Sequence, residues 1–205
     1  CVIVGFGPED QAIKTIYEYE DIKGLPHAVP AKRINAYLVD APDVLLNKRR
    51  TPICAVPEMT NGNMPNDGGG LLLSQAEKEA LLNLEPNAQE WIKPFSMGEE
   101  FINNTPRWCL WLVSCSPSQL RALPHVMKCV ELVRKTRLAS SRATTRELAS
   151  TPTLFGEIRQ PKSKRYLAVP KVSSERRQFI PIGYLDREVI CGDKIFFVDD
   201  ASLFT

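Results

Sequence analysis

The run Val172-Ser-Ser-Glu-Arg-Arg-Gln178 gathers, in seven residues, the side chains that can read the edge of a base pair. An arginine can donate two hydrogen bonds to guanine O6 and N7, a carboxylate can accept from the cytosine amino group, and a serine adapts to either. Ser173, Ser174, Glu175, Arg176 and Arg177 therefore form one candidate recognition set. The segment can equally be a polar hairpin turn with an internal ion pair, and spacing alone leaves both readings open.

A second set offers charge rather than hydrogen-bond variety. Lys128, Lys135 and Arg142 are seven apart, with Arg121 seven earlier. On one continuous helix they would drift by only about 20° per step. Arg134 and Arg137 widen that stripe, and Ser140 and Ser141 add hydroxyls at its end. Such an array suits a phosphate backbone. The plainer alternative is a solvated helix face, but Glu131 is the one acid inside, so i, i+4 pairs cannot neutralise the stripe.

Both sets lie in residues 121–177, which hold fourteen Lys/Arg against the four carboxylates Glu131, Glu147, Glu157 and Glu175, a net +10. The whole chain is +2, so the remainder sums to −8. That polarisation points to a polyanionic partner. If about six of these cations met phosphates, log K would fall with log salt at a slope near −5.

Catalytic groups are scarce. There is no nucleophile motif and no carboxylate cluster with metal-site spacing. Two histidines and six cysteines without a C-x-x-C pair argue against zinc and for a reduced protein. Gly5-Phe-Gly7 lacks the third glycine of a dinucleotide loop, because position 10 is Asp. Asp67-Gly-Gly-Gly70 lacks the Lys-Ser/Thr of a phosphate loop, and Asp67 would repel phosphate, so it reads as a structural turn. No catalytic residue and no metal site are expected. No membrane span or signal pattern appears, and a cytoplasmic binding module is the expectation.

The elements that must position these groups read as α+β, with mixed sheet segments and flanking helices. Strands are expected over 1–6, 14–19, 34–38 and 107–113, and again over 165–169, 179–185 and 194–198. The strand at 1–6, with no initiator Met, makes the chain read as part of a longer protein. Ser74-x-x-Glu77 has capping-box spacing and opens a helix with Ala80, Leu81 and Leu84 inward; a short helix over 87–92 follows. After Ser116-Pro117, apolar residues at 120, 123, 126, 127, 130 and 133 predict a helix divided at Pro124 and reaching about Ser141. Residues 51–70 read as an ordered loop or a surface excursion, and a soft boundary falls near 93–105.

Several stretches carry a resemblance to a known family. They are Cys-Val-Ile-Val-Gly-Phe (1–6), Ile-Asn-Ala-Tyr-Leu-Val-Asp-Ala-Pro (34–42), Pro-Asn-Asp-Gly-Gly-Gly-Leu-Leu-Leu (65–73), Glu-Phe-Ile-Asn-Asn (100–104) and Arg-Trp-Cys-Leu-Trp-Leu (107–112), continuing through 133–141 and 169–184. In this order they resemble the type IIL restriction–modification enzymes of the MmeI class and related adenine-N6 DNA methyltransferases. The resemblance implies the end of a methyltransferase fold over 1–50, then a single target recognition domain over 51–205. The Asn-Pro-Pro-Tyr signature and the glycine-rich S-adenosylmethionine loop of such enzymes are absent here. The expected partners are therefore double-stranded DNA and an upstream methyltransferase domain, with no cofactor held by this stretch and S-adenosylmethionine in the parent protein. By resemblance, base reading falls to Ser173, Ser174, Glu175, Arg176 and Arg177. Backbone contact falls to Lys128, Arg134, Lys135, Arg137, Ser140, Ser141 and Arg142. The rival expectation is a protein-interaction domain whose basic face docks an acidic partner.

Overall fold

The structure is a computed structural model, and it describes residues 2–21, 23–45, 47–49, 51–174 and 176–202. The chain divides into two compact units, 1–50 and 51–205.

In the first unit, β1 (Lys14–Glu18) pairs antiparallel with β2 (His27–Ala31), with Ile16 opposite Val29. The connection turns at Asp21, whose carboxylate accepts from the Lys23 amide and whose carbonyl accepts from Gly24. Two expected strands are not present. Residues 2–6 form no strand, Val2, Ile3, Val4 and Phe6 are exposed, and among the described residues no strand pairs with them to satisfy their backbone groups. Residues 34–38 turn instead of extending. The Asn35 side chain accepts from the amides of Tyr37 and Val39, and Leu38 takes a positive φ of 62°. An Asn that bonds its own downstream backbone competes directly with a sheet ladder.

The second unit begins with β3 (Met59–Asn61) and β4 (Leu72–Leu73). Helix α1 (Gln75–Leu84) follows, opened by the Ser74–Glu77 capping box. Leu81 is its buried residue, whereas Ala80 and Leu84 face out. A 3-10 turn (Pro86–Trp91) leads into β5 (Ile92–Ser96), α2 (Gly98–Asn103) and a short β6 (Trp108–Leu110). Then come α3 (Pro117–Arg121), capped by Ser116, α4 (Pro124–Leu138) and α5 (Ala143–Glu147). The last strands are β7 (Arg165–Pro170), β8 (Gly183–Asp186), β9 (Ile190–Cys191) and β10 (Ile195–Asp199). Among the described residues, no helix is long and apolar enough to cross a membrane.

Two four-stranded sheets result, in orders β3-β10-β7-β8 and β4-β6-β5-β9. The first is antiparallel, and the second has one parallel pair, β5 with β9. The fold is α+β, as the irregular order of strands and helices indicated. Residues 93–105 lie inside this unit, running from β5 through α2 towards β6, the strand that pairs with β5. The larger core joins the β4-β6-β5 sheet to one face of α4 through Val126, Val130 and Val133, with Trp91 buried and Trp111 edge-on to Phe155. A smaller core of Tyr166, Ala168, Cys191, Ile195 and Phe197 backs the β10-β7 pair.

Helix α4 is held at its N-terminus from another element. Buried Glu85 accepts from the His125 amide at 2.6 Å and the Val126 amide at 3.1 Å. A carboxylate there satisfies orphan N–H groups and complements the positive end of the helix dipole.

Candidate nucleic-acid interface

The seven-residue stripe does not survive intact, because its members belong to different elements. Arg121 ends α3, Lys128 and Lys135 lie on α4, and Arg142 is the N-cap of α5. At 3.6 residues per turn, Lys128 and Lys135 stand roughly opposite the buried stripe of Val126, Val130 and Val133. Arg134 is exposed on the flank of α4. The helix stops at Leu138, so Ser140 and Ser141 sit in the turn that follows it.

Arg137 was expected at phosphate, and the structure corrects this. It is 1% exposed and continues the apolar stripe of α4 inward. Its Nε donates to the Asn66 carbonyl, Nη1 to those of Leu148 and Thr151, and Nη2 to those of Pro65 and Leu154, at 2.7–3.1 Å. A guanidinium has five N–H groups, and here five carbonyls take them. Desolvation pushes its pKa down, and the nearby Asp67 carboxylate opposes that shift. Arg137 is an internal clasp between α4 and two loops.

One of those loops is the glycine turn. Buried Asp67 accepts from the amides of Leu71 and Leu72 at 2.7 and 3.2 Å. Gly68 has φ +59°, and a Cβ there would lie 2.4 Å from Thr136 Cγ2. The stretch is a turn pressed onto α4, so Asp67 is structural, as its sequence indicated.

Between this turn and the segment after α4 lies a cleft of about 620 Å³. Asn66, Gly68 and Gly69 line one side, Ser140, Arg142 and Thr145 another, and Met97 and Asp193 also contribute. The Arg146 guanidinium fixes the wall near Arg142 by donating to the carbonyls of Ser140 and Ser141, both at 2.9 Å. The Arg142 amide also donates to Ser140 Oγ. Sequence reasoning missed Asn66, Asp193 and the clamp made by Arg146. Only the paired glycines gave any signal, through their demand for positive φ.

Beside Asp193, the Lys194 carbonyl accepts from the Lys171 amide at 3.0 Å. Lys171 is the first residue of the connection from β7 to β8, which carries the candidate reading set. The turn at 192–194 therefore joins the cleft rim to the base of that loop. Ser173, Ser174, Arg176, Arg177 and Gln178 are all exposed. Ser174 also shapes the loop, since its Oγ accepts from the Arg176 amide and its carbonyl from the Arg177 amide. Glu175 lies outside the described residues.

The remaining positive charge of residues 121–177 is partly matched locally. Arg159 pairs with Glu157 and Arg165 with Asp186. Among the described residues, no ion pair engages Lys128, Arg134, Lys135, Arg142, Arg176 or Arg177. Among the described residues, Arg121, Arg146, Lys162 and Lys164 have no ion pair either.

An α+β unit that holds a basic loop and an arginine-lined cleft on one connected rim has the construction of a recognition domain. The chain belongs to the MmeI target recognition domain family, whose model matches residues 40–205. It is 33% identical over 203 residues to DNA methyltransferase A of Bacillus subtilis (strain 168), covering 99% of this chain and 22% of that protein. A solved structure of the type IIL restriction–modification enzyme MmeI in complex with DNA is similar at a TM-score of 0.88 and 45% identity, covering 95% of this chain and 26% of that one. The chain thus spans about a quarter of the length of the relatives it matches.

Proposed function

We propose that residues 51–205 recognise a specific sequence in duplex DNA on behalf of a DNA methyltransferase of the restriction–modification type. The β7–β8 loop reads base edges through Ser173, Glu175, Arg176 and Arg177, with Ser174 shaping the turn. Lys128, Arg134, Lys135, Ser140, Ser141 and Arg142 serve the sugar–phosphate backbone. The observation that carries this reading is the loop itself: two adjacent arginines, exposed and without a described ion-pair partner, on a stem fixed to the sheet at Lys171.

In the whole protein, residues 1–50 form the end of a methyltransferase domain and its connection, and the reaction is adenine-N6 methylation with S-adenosylmethionine as donor. That cofactor is held outside this stretch. Gly5-Phe-Gly7, the nearest approach to a nucleotide loop, joins no described strand or helix. The residues present do not fit the group, and no chemical step is assigned to them.

Arg177→Ala tests the base-reading assignment. It should relax the preference at one position of the bound sequence, by roughly 1–3 kcal/mol for one lost bidentate pair, and leave other positions ranked as before. Sequencing of duplexes retained from a randomised pool measures this. An unchanged ranking at every position would remove Arg177 from base reading.

A further inference from the structure

The reading loop carries an apolar feature that its polar chemistry does not use. Phe179 is 76% exposed and Ile180 65%, directly after Arg176, Arg177 and Gln178. Neither residue belongs to a described core cluster, and the smaller core behind β7 and β10 is completed by Tyr166, Ala168, Ile195 and Phe197 without them. Strand β8 begins only at Gly183, so both precede the ladder. An exposed aromatic ring beside two arginines that have no ion pair among the described residues suits an apolar group carried by a polyanion. Duplex DNA supplies one on a base edge in the major groove: the 5-methyl group of thymine.

We propose that Phe179 is a specificity-determining residue that meets a thymine 5-methyl group in the bound duplex, with Ile180 shielding the contact from water. The loop then reads with two chemistries. Its arginines and acid address bases by hydrogen bonds, and Phe179 identifies a thymine by its one apolar substituent. Arg176 and Arg177 keep the ring on DNA, because a purely apolar protein surface would have to desolvate both cations. This inference rests on the DNA-reading function proposed above.

Deoxyuridine tests it directly, because it keeps every hydrogen bond of thymidine and lacks only the methyl. Two randomised duplex pools, one built with thymidine and one with deoxyuridine, are bound to the full chain carrying Phe179, Phe179→Leu or Phe179→Ala. With Phe179, one position should prefer thymidine over the other bases, and that preference should drop about four-fold in the deoxyuridine pool, the weight of one buried methyl. Phe179→Leu should keep most of the difference between pools. Phe179→Ala should show none at that position while the preference read by Arg177 persists. Equal preferences in both pools with Phe179 present, or a difference that survives in Phe179→Ala, would overturn the assignment. A failure of the unaltered chain to select any sequence counts against the DNA-reading function instead, so the two failures are distinguishable.

Discussion

Arg137→Ala is expected to lower the melting temperature of this chain by about 10 °C or more. The substitution removes donors from the carbonyls of Pro65, Asn66, Leu148, Thr151 and Leu154 at once. A buried polar group left without a partner costs roughly 1–3 kcal/mol, so even with water reaching some of them the loss should be about 4 kcal/mol or more. For a chain of this size each kcal/mol moves the midpoint by roughly 2–4 °C. Arg137→Lys should recover little, since an ammonium offers three donors on a point and not five in a plane. Arg134→Ala, on the same helix but exposed, serves as the control and should stay within about 0.5 kcal/mol. Thermal melts followed by circular dichroism decide the matter. A normal melt for Arg137→Ala together with weakened DNA binding would return Arg137 to the phosphate contacts.

The second large effect concerns salt. With Arg137 withdrawn into the fold, the proposed reading leaves Lys128, Arg134, Lys135 and Arg142, all exposed, as the cations to meet phosphates. Four released counterions give a slope of log K against log salt of about −3.6, shallower than the −5 that six contacts would give. Between about 50 and 200 mM salt, affinity for duplex DNA should then fall by roughly 150-fold. Arg142→Ala alone should flatten the slope by about 0.9, with the order of preferred sequences retained. Fluorescence anisotropy with a labelled duplex measures both. A slope no steeper than about −1 would mean that these cations do not meet phosphates.

Much of this architecture was legible in the sequence because its signals are local. Ser74 with Glu77, and Ser116 with Pro117, marked helix starts that the structure places at Gln75 and Pro117. The strands expected over 165–169 and 194–198 are the two central strands of their sheet. Arg137 was legible in principle. Val126, Val130 and Val133 define an inward face, and 137 is four residues beyond 133 and seven beyond 130 on that face. Residue type misled where position did not: an arginine reads as surface until five carbonyls are found around it. The heptad of basic residues failed for a related reason, since periodicity presumes one helix and α4 ends before Ser140. The cleft could not have been read at all. Its walls come from 64–72, 97, 136–145 and 193, and only tertiary packing brings them together.

The central claim is that this chain distinguishes one DNA sequence from others. The most direct test is the ratio of its affinity for the duplex it selects from a randomised pool to that for a scrambled duplex of equal composition, at about 150 mM salt. The account predicts a ratio of about 10³ or more, the range of specific over non-specific binding. A ratio near one, with both duplexes bound through charge alone, would contradict it.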